Sequence, residues 1–121
     1  MGNLALVLSL LIGVSAHAGT VKFSGPVSKC SMHKLVTKVA ALSAAGDRDI
    51  TVKIGSSDGG DLYAALKAMT ELRRYNVDTH ATGECASACT VVYAAGATRT
   101  AKGAKFMFHG TQVATHKLKV T

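Results

Sequence analysis

The segment Ile50-Thr51-Val52-Lys53-Ile54 alternates apolar and polar residues, with three β-branched apolar side chains on one face, and runs straight into Gly55-Ser56-Ser57-Asp58-Gly59-Gly60. A half-buried strand that ends in a glycine-rich turn restricts what can follow it. Beyond the turn, Leu62, Leu66, Met69 and Leu72 recur at helical spacing, with Asp61 placed at the positive end of the helix. A strand, a tight turn and an amphipathic helix make half of a parallel crossover, and the helix needs a sheet to cover.

The rest of the chain repeats this grammar. Val21-Lys22-Phe23 alternates before Ser24-Gly25-Pro26, and Leu35, Val36, Val39 and Leu42 then mark a helix for which Gly46 is the C-cap. Val77–Thr82 reads as a strand before Gly83. Ala86–Ala95 reads as a short buried helix stopped by Gly96, and Lys105-Phe106-Met107-Phe108-His109 as a closing strand. Alternating strands and helices with right-handed crossovers predict an α/β domain with a mainly parallel sheet flanked by helices. On this reading Val52, Ile54, Phe106 and Phe108 share one sheet, and Leu62, Leu66 and Met69 pack on it.

The chain has 121 residues, which is room for one domain. Residues 1–18 carry no charged side chain, and an apolar run of about 13 residues from Leu4 ends in Ala16-His17-Ala18. That is short of the roughly 20 residues a membrane span needs, and it fits a secretory signal cleaved after Ala18. The expected organisation is a signal peptide at 1–18 and a domain at 19–121, with no membrane span once the signal is removed, in the periplasm or secreted. The net charge of +7 stays with that domain. Its basic residues are scattered, aromatic residues are only 5% of the chain, and no arginine-rich run occurs, so a specific nucleic-acid partner is not expected.

Cys30, Cys85 and Cys89 are the three cysteines. Cys85 and Cys89 form C-x3-C, and no second close pair completes a set of zinc ligands, so neither a metal nor another cofactor is expected. Two cysteines four residues apart across a turn into a helix are within reach of a disulfide, and the expectation is that they pair and leave Cys30 free. Two small buried thiols are the alternative.

Three places fall where strands end and helices begin: Asp58-Gly59-Gly60, Cys85-Ala86-Ser87-Ala88-Cys89, and Phe108-His109-Gly110. Such ends are where α/β sheets build sites. A Gly-Gly pair lets backbone N–H groups face a ligand, and a serine at the start of a helix sits where the next N–H stabilises negative charge. A plain turn and an N-cap serine would look the same. Serine needs a base, and of the five histidines only His109 ends a strongly apolar strand. His33, His80 and His116 lie among polar neighbours.

Taken together and in order, Gly-Gly-Asp-Leu at 59–62, Gly-Glu-Cys-Ala-Ser-Ala-Cys at 83–89, Ala-Gly-Ala-Thr-Arg at 95–99 and Phe-His at 108–109 resemble the Clp-type serine proteases. More specifically, the sequence is similar to their exported bacterial branch, in which two cysteines frame the nucleophile. The resemblance implies a spiral-like ββα fold shared with crotonases, and peptide-bond hydrolysis as the ancestral chemistry. It makes Ser87 the nucleophile, His109 the general base, and the N–H groups of Gly60 and Ala88 the oxyanion hole. It also implies a peptide or protein substrate and allows a homo-oligomer. Two positions depart from the family's pattern. Asp58 stands where proline usually precedes the two glycines, and no Asp or Glu follows His109, so the downstream carboxylate of the triad has no counterpart. The domain therefore reads as truncated at its C-terminus. It is either a Ser-His enzyme, one that borrows an acid such as Asp58 or Glu84 or a partner's residue, or a non-catalytic envelope relative that binds peptides.

Overall fold

The computed structural model describes residues 18–108, so that most of the expected signal peptide and the candidate base His109 lie outside the described residues. Period-two alternation is realised in β1 (Ala18–Phe23) and β2 (Asp49–Ile54), and two shorter strands, β3 (Asp78–Ala81) and β5 (Arg99–Ala101), join them. These four form one parallel sheet in the order β1-β2-β3-β5. β1 begins at Ala18, the last residue of the expected signal.

The remaining strands, β4 (Glu84–Ala86) and β6 (Lys105–Met107), pair in parallel as a separate two-stranded sheet. The expectation that Phe106 and Phe108 share a sheet with Val52 and Ile54 is therefore corrected: Phe106 lies in the second sheet, and Phe108 follows it, 78% exposed. Three-residue strands carry too little periodicity to disclose their partner. The fold is mixed α/β with parallel pairing throughout the named strands, as the alternation of elements predicts.

Helix α1 (Lys29–Ala44) starts one turn and more before the apolar positions that announced it. Its N-cap is Ser28, whose hydroxyl accepts from the Ser31 N–H at 3.0 Å while the Ser31 hydroxyl accepts from the Ser28 N–H at 2.9 Å. This reciprocal pair satisfies two donors that a helix start otherwise leaves orphaned. Gly46 follows the last turn at φ +102, a conformation glycine adopts without steric penalty.

Helix α2 (Leu62–Arg73) starts as predicted at Asp61, whose carboxylate accepts from the Ala64 N–H at 3.0 Å. Its buried face differs from the predicted one. Ala64, Ala65, Ala68 and Leu72 face the core, whereas Leu62 and Leu66 are 41% and 42% exposed and Met69 is half-buried. The helix is thus turned by roughly a quarter turn from the orientation its leucines suggest. Alanines have no bulk beyond Cβ, so they let α2 approach both α1 and the short helix α3 (Ala88–Tyr93), which it contacts more than any strand. Helix approach, not leucine burial, sets the orientation.

The core lies between the sheet and these helices, with Ile50, Val52, Ile54, Val39, Leu72 and Val92 all 2% exposed or less. Thr79 is the polar group among them at 1% exposure, and its hydroxyl donates to the Tyr93 carbonyl at 2.7 Å, so its burial leaves nothing unpaired. Leu72→Ala should lower stability in urea unfolding by about 3 kcal/mol, the usual range for a buried leucine, while Leu62→Ala and Leu66→Ala should each lower it by less than about 1 kcal/mol. Equal losses at all three positions would restore the leucine face.

Candidate active site

Three segments that are far apart in sequence meet at the ends of the two sheets. After β2, the loop at 55–60 is stitched to β4: the Ser57 N–H donates to the Glu84 carbonyl at 2.7 Å, and the Ala86 N–H donates to the Ser57 carbonyl at 2.9 Å. Ser57 is buried, and its hydroxyl accepts from the Gly59 N–H at 3.3 Å. On the other side, Val27 clamps the same loop, donating its N–H to the Gly59 carbonyl at 2.8 Å and accepting from the Asp61 N–H at 2.9 Å.

The glycines are required by this close approach. A Cβ on Gly59 would lie 2.7 Å from the Ala86 carbonyl oxygen and 2.8 Å from the Ser87 Cβ, and a Cβ on Gly60 would collide with the Val27 carbonyl. Both residues also have positive φ, +95 and +143. With the Gly59 N–H taken by Ser57, the Gly60 N–H is the next donor along the loop, and among the described residues it has no acceptor.

Ser87 is half-buried between β4 and α3, at φ +54 and ψ −121. Those angles belong to the first central position of a type II′ turn, ordinarily glycine's place, and holding a serine there costs about 1–3 kcal/mol. The surroundings fix it. Its N–H donates to the Met107 carbonyl at 2.8 Å, and its carbonyl accepts from the Thr90 N–H at 2.9 Å and the Thr90 hydroxyl at 2.6 Å. Its own hydroxyl caps nothing, so the side chain is not committed to the helix start. Ala88 opens α3, and its N–H has no acceptor among the described residues either.

Cys85 and Cys89 form a disulfide with Cα atoms 5.2 Å apart, and both residues are fully buried. The bridge spans the Ser87 turn from strand to helix. Cys30 is the free thiol, exposed on α1. Both parts of the cysteine expectation match the structure.

The sequence-level candidates therefore divide. Gly60, Ser87, Ala88, Cys85 and Cys89 are brought into one assembly, and the β4–β6 register sets Ala86, the residue before Ser87, opposite Met107. Asp58 and Glu84 are both exposed. His80 sits in β3 with its Nδ1 2.7 Å from the Thr100 hydroxyl. Sequence reasoning missed Val27 and Ser57, whose contributions are made largely through backbone groups and leave no motif. The Pro26-Val27-Ser28 approach to a capped helix was the only visible cue.

A family model described as Clp protease matches residues 10–119. The chain belongs to the Clp protease family. Among solved structures, it is similar to the ClpP protease catalytic domain from Plasmodium falciparum, with a TM-score of 0.68 and 21% identity over 84% of this chain. That likeness is one of fold. The match covers 60% of the Plasmodium chain, so this sequence spans less than two thirds of that relative's length. No curated protein matches the sequence.

Gly59→Ala should disrupt the assembly, because it sets a methyl group against backbone at a positive φ. It should be more destabilising than Gly25→Ala, whose Cβ meets nothing within 4 Å, although both glycines have positive φ. Reducing the disulfide should lower stability by roughly 2 kcal/mol, the chain-entropy value for so short a loop. Thermal unfolding of each variant, and of the wild type with and without reductant, checks both.

Proposed function

We propose that this chain is an exported serine peptidase in which Ser87 is the nucleophile and His109 its general base. The observation that carries the reading is the backbone of Ser87. A serine held at φ +54 in a sharp strand-to-helix turn, with a hydroxyl that caps nothing, has the form of a nucleophile elbow. In the proposed reaction the Ser87 oxygen attacks a peptide carbonyl and passes its proton to His109, and the resulting oxyanion accepts from the Gly60 and Ala88 N–H groups. His109 then protonates the leaving amine, and water hydrolyses the acyl-enzyme with the same histidine as base.

Support for the remaining parts is independent. The buried disulfide suits an oxidising compartment, in line with a signal peptide at 1–18 and a periplasmic or secreted location. Exposed large apolar residues fall on the two segments beside the site: Leu62, Tyr63 and Leu66 follow Gly60, and Met107 and Phe108 accompany the Ser87 turn. Such residues suit apolar side chains of a peptide substrate or contact with a second copy in a homo-oligomer.

One observation favours a second reading, a non-catalytic relative that binds peptides: the exposed Asp58 lies two residues before Gly60, so a carboxylate shares the short loop that carries the proposed oxyanion donor. Labelling by a fluorophosphonate asks only for an activated hydroxyl and an oxyanion hole. On the proposed mechanism the reagent labels Ser87, and labelling is lost in Ser87→Ala and His109→Ala but kept in Ser28→Ala, His80→Ala and His116→Ala. Absence of labelling in folded protein would establish the non-catalytic reading instead.

A further inference from the structure

Parallel sheets usually carry helices on both faces, but along β1, β2 and β3 burial alternates, so that one face is buried and the other is exposed or half-buried. The other face presents the alternate side chains of each strand. Strand register places Lys22 opposite Lys53, Lys53 opposite His80, and His80 opposite Thr100, so that one row crosses all four strands. Neighbouring strands are about 4.8 Å apart, which sets two lysines side by side where like charges repel. Lys22 and Lys53 are exposed. The row beside it, two residues earlier on each strand, holds Thr20, Thr51 and Asp78.

We propose that this sheet face binds an acidic polysaccharide, with Lys22 and Lys53 pairing with its sulfate, phosphate or carboxylate groups. His80 and the threonine hydroxyls supply hydrogen bonds to the same chain. His80 Nδ1 is engaged by Thr100, which leaves Nε2 for a ligand. The acids on this face are Asp49 and Asp78. Asp78 accepts from the Thr98 N–H at 3.2 Å, and Asp49 lies four residues before Lys53 on β2, so neither lies in the lysine row.

The chemistry of the face selects the occupant. None of its side chains is a large exposed apolar residue; those are Leu62, Tyr63, Leu66, Met107 and Phe108, on other elements. A protein partner would lack an apolar anchor, a membrane would have nothing to insert into it, and nucleic-acid bases would have no aromatic ring to stack on. A hydrophilic polyanion needs none of these. It needs closely spaced cations on a rigid support, and releases its counterions on binding.

Titration of the full chain with heparin, a sulfated polysaccharide, tests the proposal. Binding should weaken steeply between about 50 and about 300 mM NaCl. The double variant Lys22→Gln/Lys53→Gln should weaken it roughly five- to tenfold, whereas Lys34→Gln/Lys38→Gln, which removes the same charge from exposed positions on α1, should change it less than about twofold. Circular dichroism checks that both variants remain folded. Equal losses in the two variants would reduce the effect to net charge and overturn the proposal, as would no binding by the wild type. Tighter binding of single-stranded DNA or of phosphatidylglycerol vesicles through the same two lysines would also overturn the polysaccharide assignment.

Discussion

The backbone of Gly59 packs directly on the Ser87 turn, and the candidate site exists because that contact can form. It requires a residue without a side chain at 59, since a Cβ there would meet the Ala86 carbonyl, the Ser87 Cβ and the Ala88 N–H all within 3.0 Å. It also requires the loop after β2 to be delivered to the end of β4. The two backbone hydrogen bonds from Ser57 to β4 do this by extending the pairing of β4 onto the loop, so the large and the small sheet meet at this point. The two glycines therefore serve both the fold and the chemistry proposed for it. A donor group can face an anion beside Ser87 only where the backbone comes this close.

The Ser87 conformation makes a second demand. A positive φ at a non-glycine residue persists only where neighbours over-determine it. Here the constraints come from three directions: the Met107 carbonyl from β6, Thr90 from the first turn of α3, and the disulfide across the turn. α3 has only six residues, too few to be stable alone, and its burial through Ala88, Cys89 and Val92 ties it to the core. The bridge closes a short loop, so its global stabilisation is modest, while its local effect falls on the residue proposed to react.

How much of this was legible in sequence depended on whether the determining interaction was local. β2, its glycine turn and the Asp61 cap could all be read, because period-two alternation, turn composition and capping chemistry are properties of neighbouring residues. The start of α1 was missed because its capping partner is Ser31, in place of the Glu or Gln that usually signals a capping box. The orientation of α2 was misread because leucine spacing shows which face is apolar, not which face a neighbour can approach. Alanines at 64, 65 and 68 decided it through contacts with α1 and α3. The pairing of β4 with β6 joins residues about twenty apart through three-residue strands, and no local pattern encodes it. The candidate residues themselves were visible because glycine, serine and cysteine at strand ends are chemically distinctive. The conformation of Ser87 was not, since its left-handed φ is imposed by Met107 and Thr90 and not by its own type.

The alternation that made β2 legible also says something about the domain's surfaces. A strand buried on both faces reads as a continuous apolar run, whereas Ile50-Thr51-Val52-Lys53-Ile54 gives one face to water. A sheet covered on one side builds a single thin core, and the helices that cover it must expose whatever apolar residues do not fit beneath them. Leu62, Tyr63 and Leu66 are in that position on α2, while the far face of the sheet carries Lys22, Lys53 and His80. The two surfaces favour different partners. Apolar side chains beside Gly60 gain from excluding water, which suits a peptide or a second subunit next to the site. The lysine row gains only from charge and hydrogen bonds that water can share, and these weaken with salt. Partners of the two surfaces need not compete, because the sheet itself separates them.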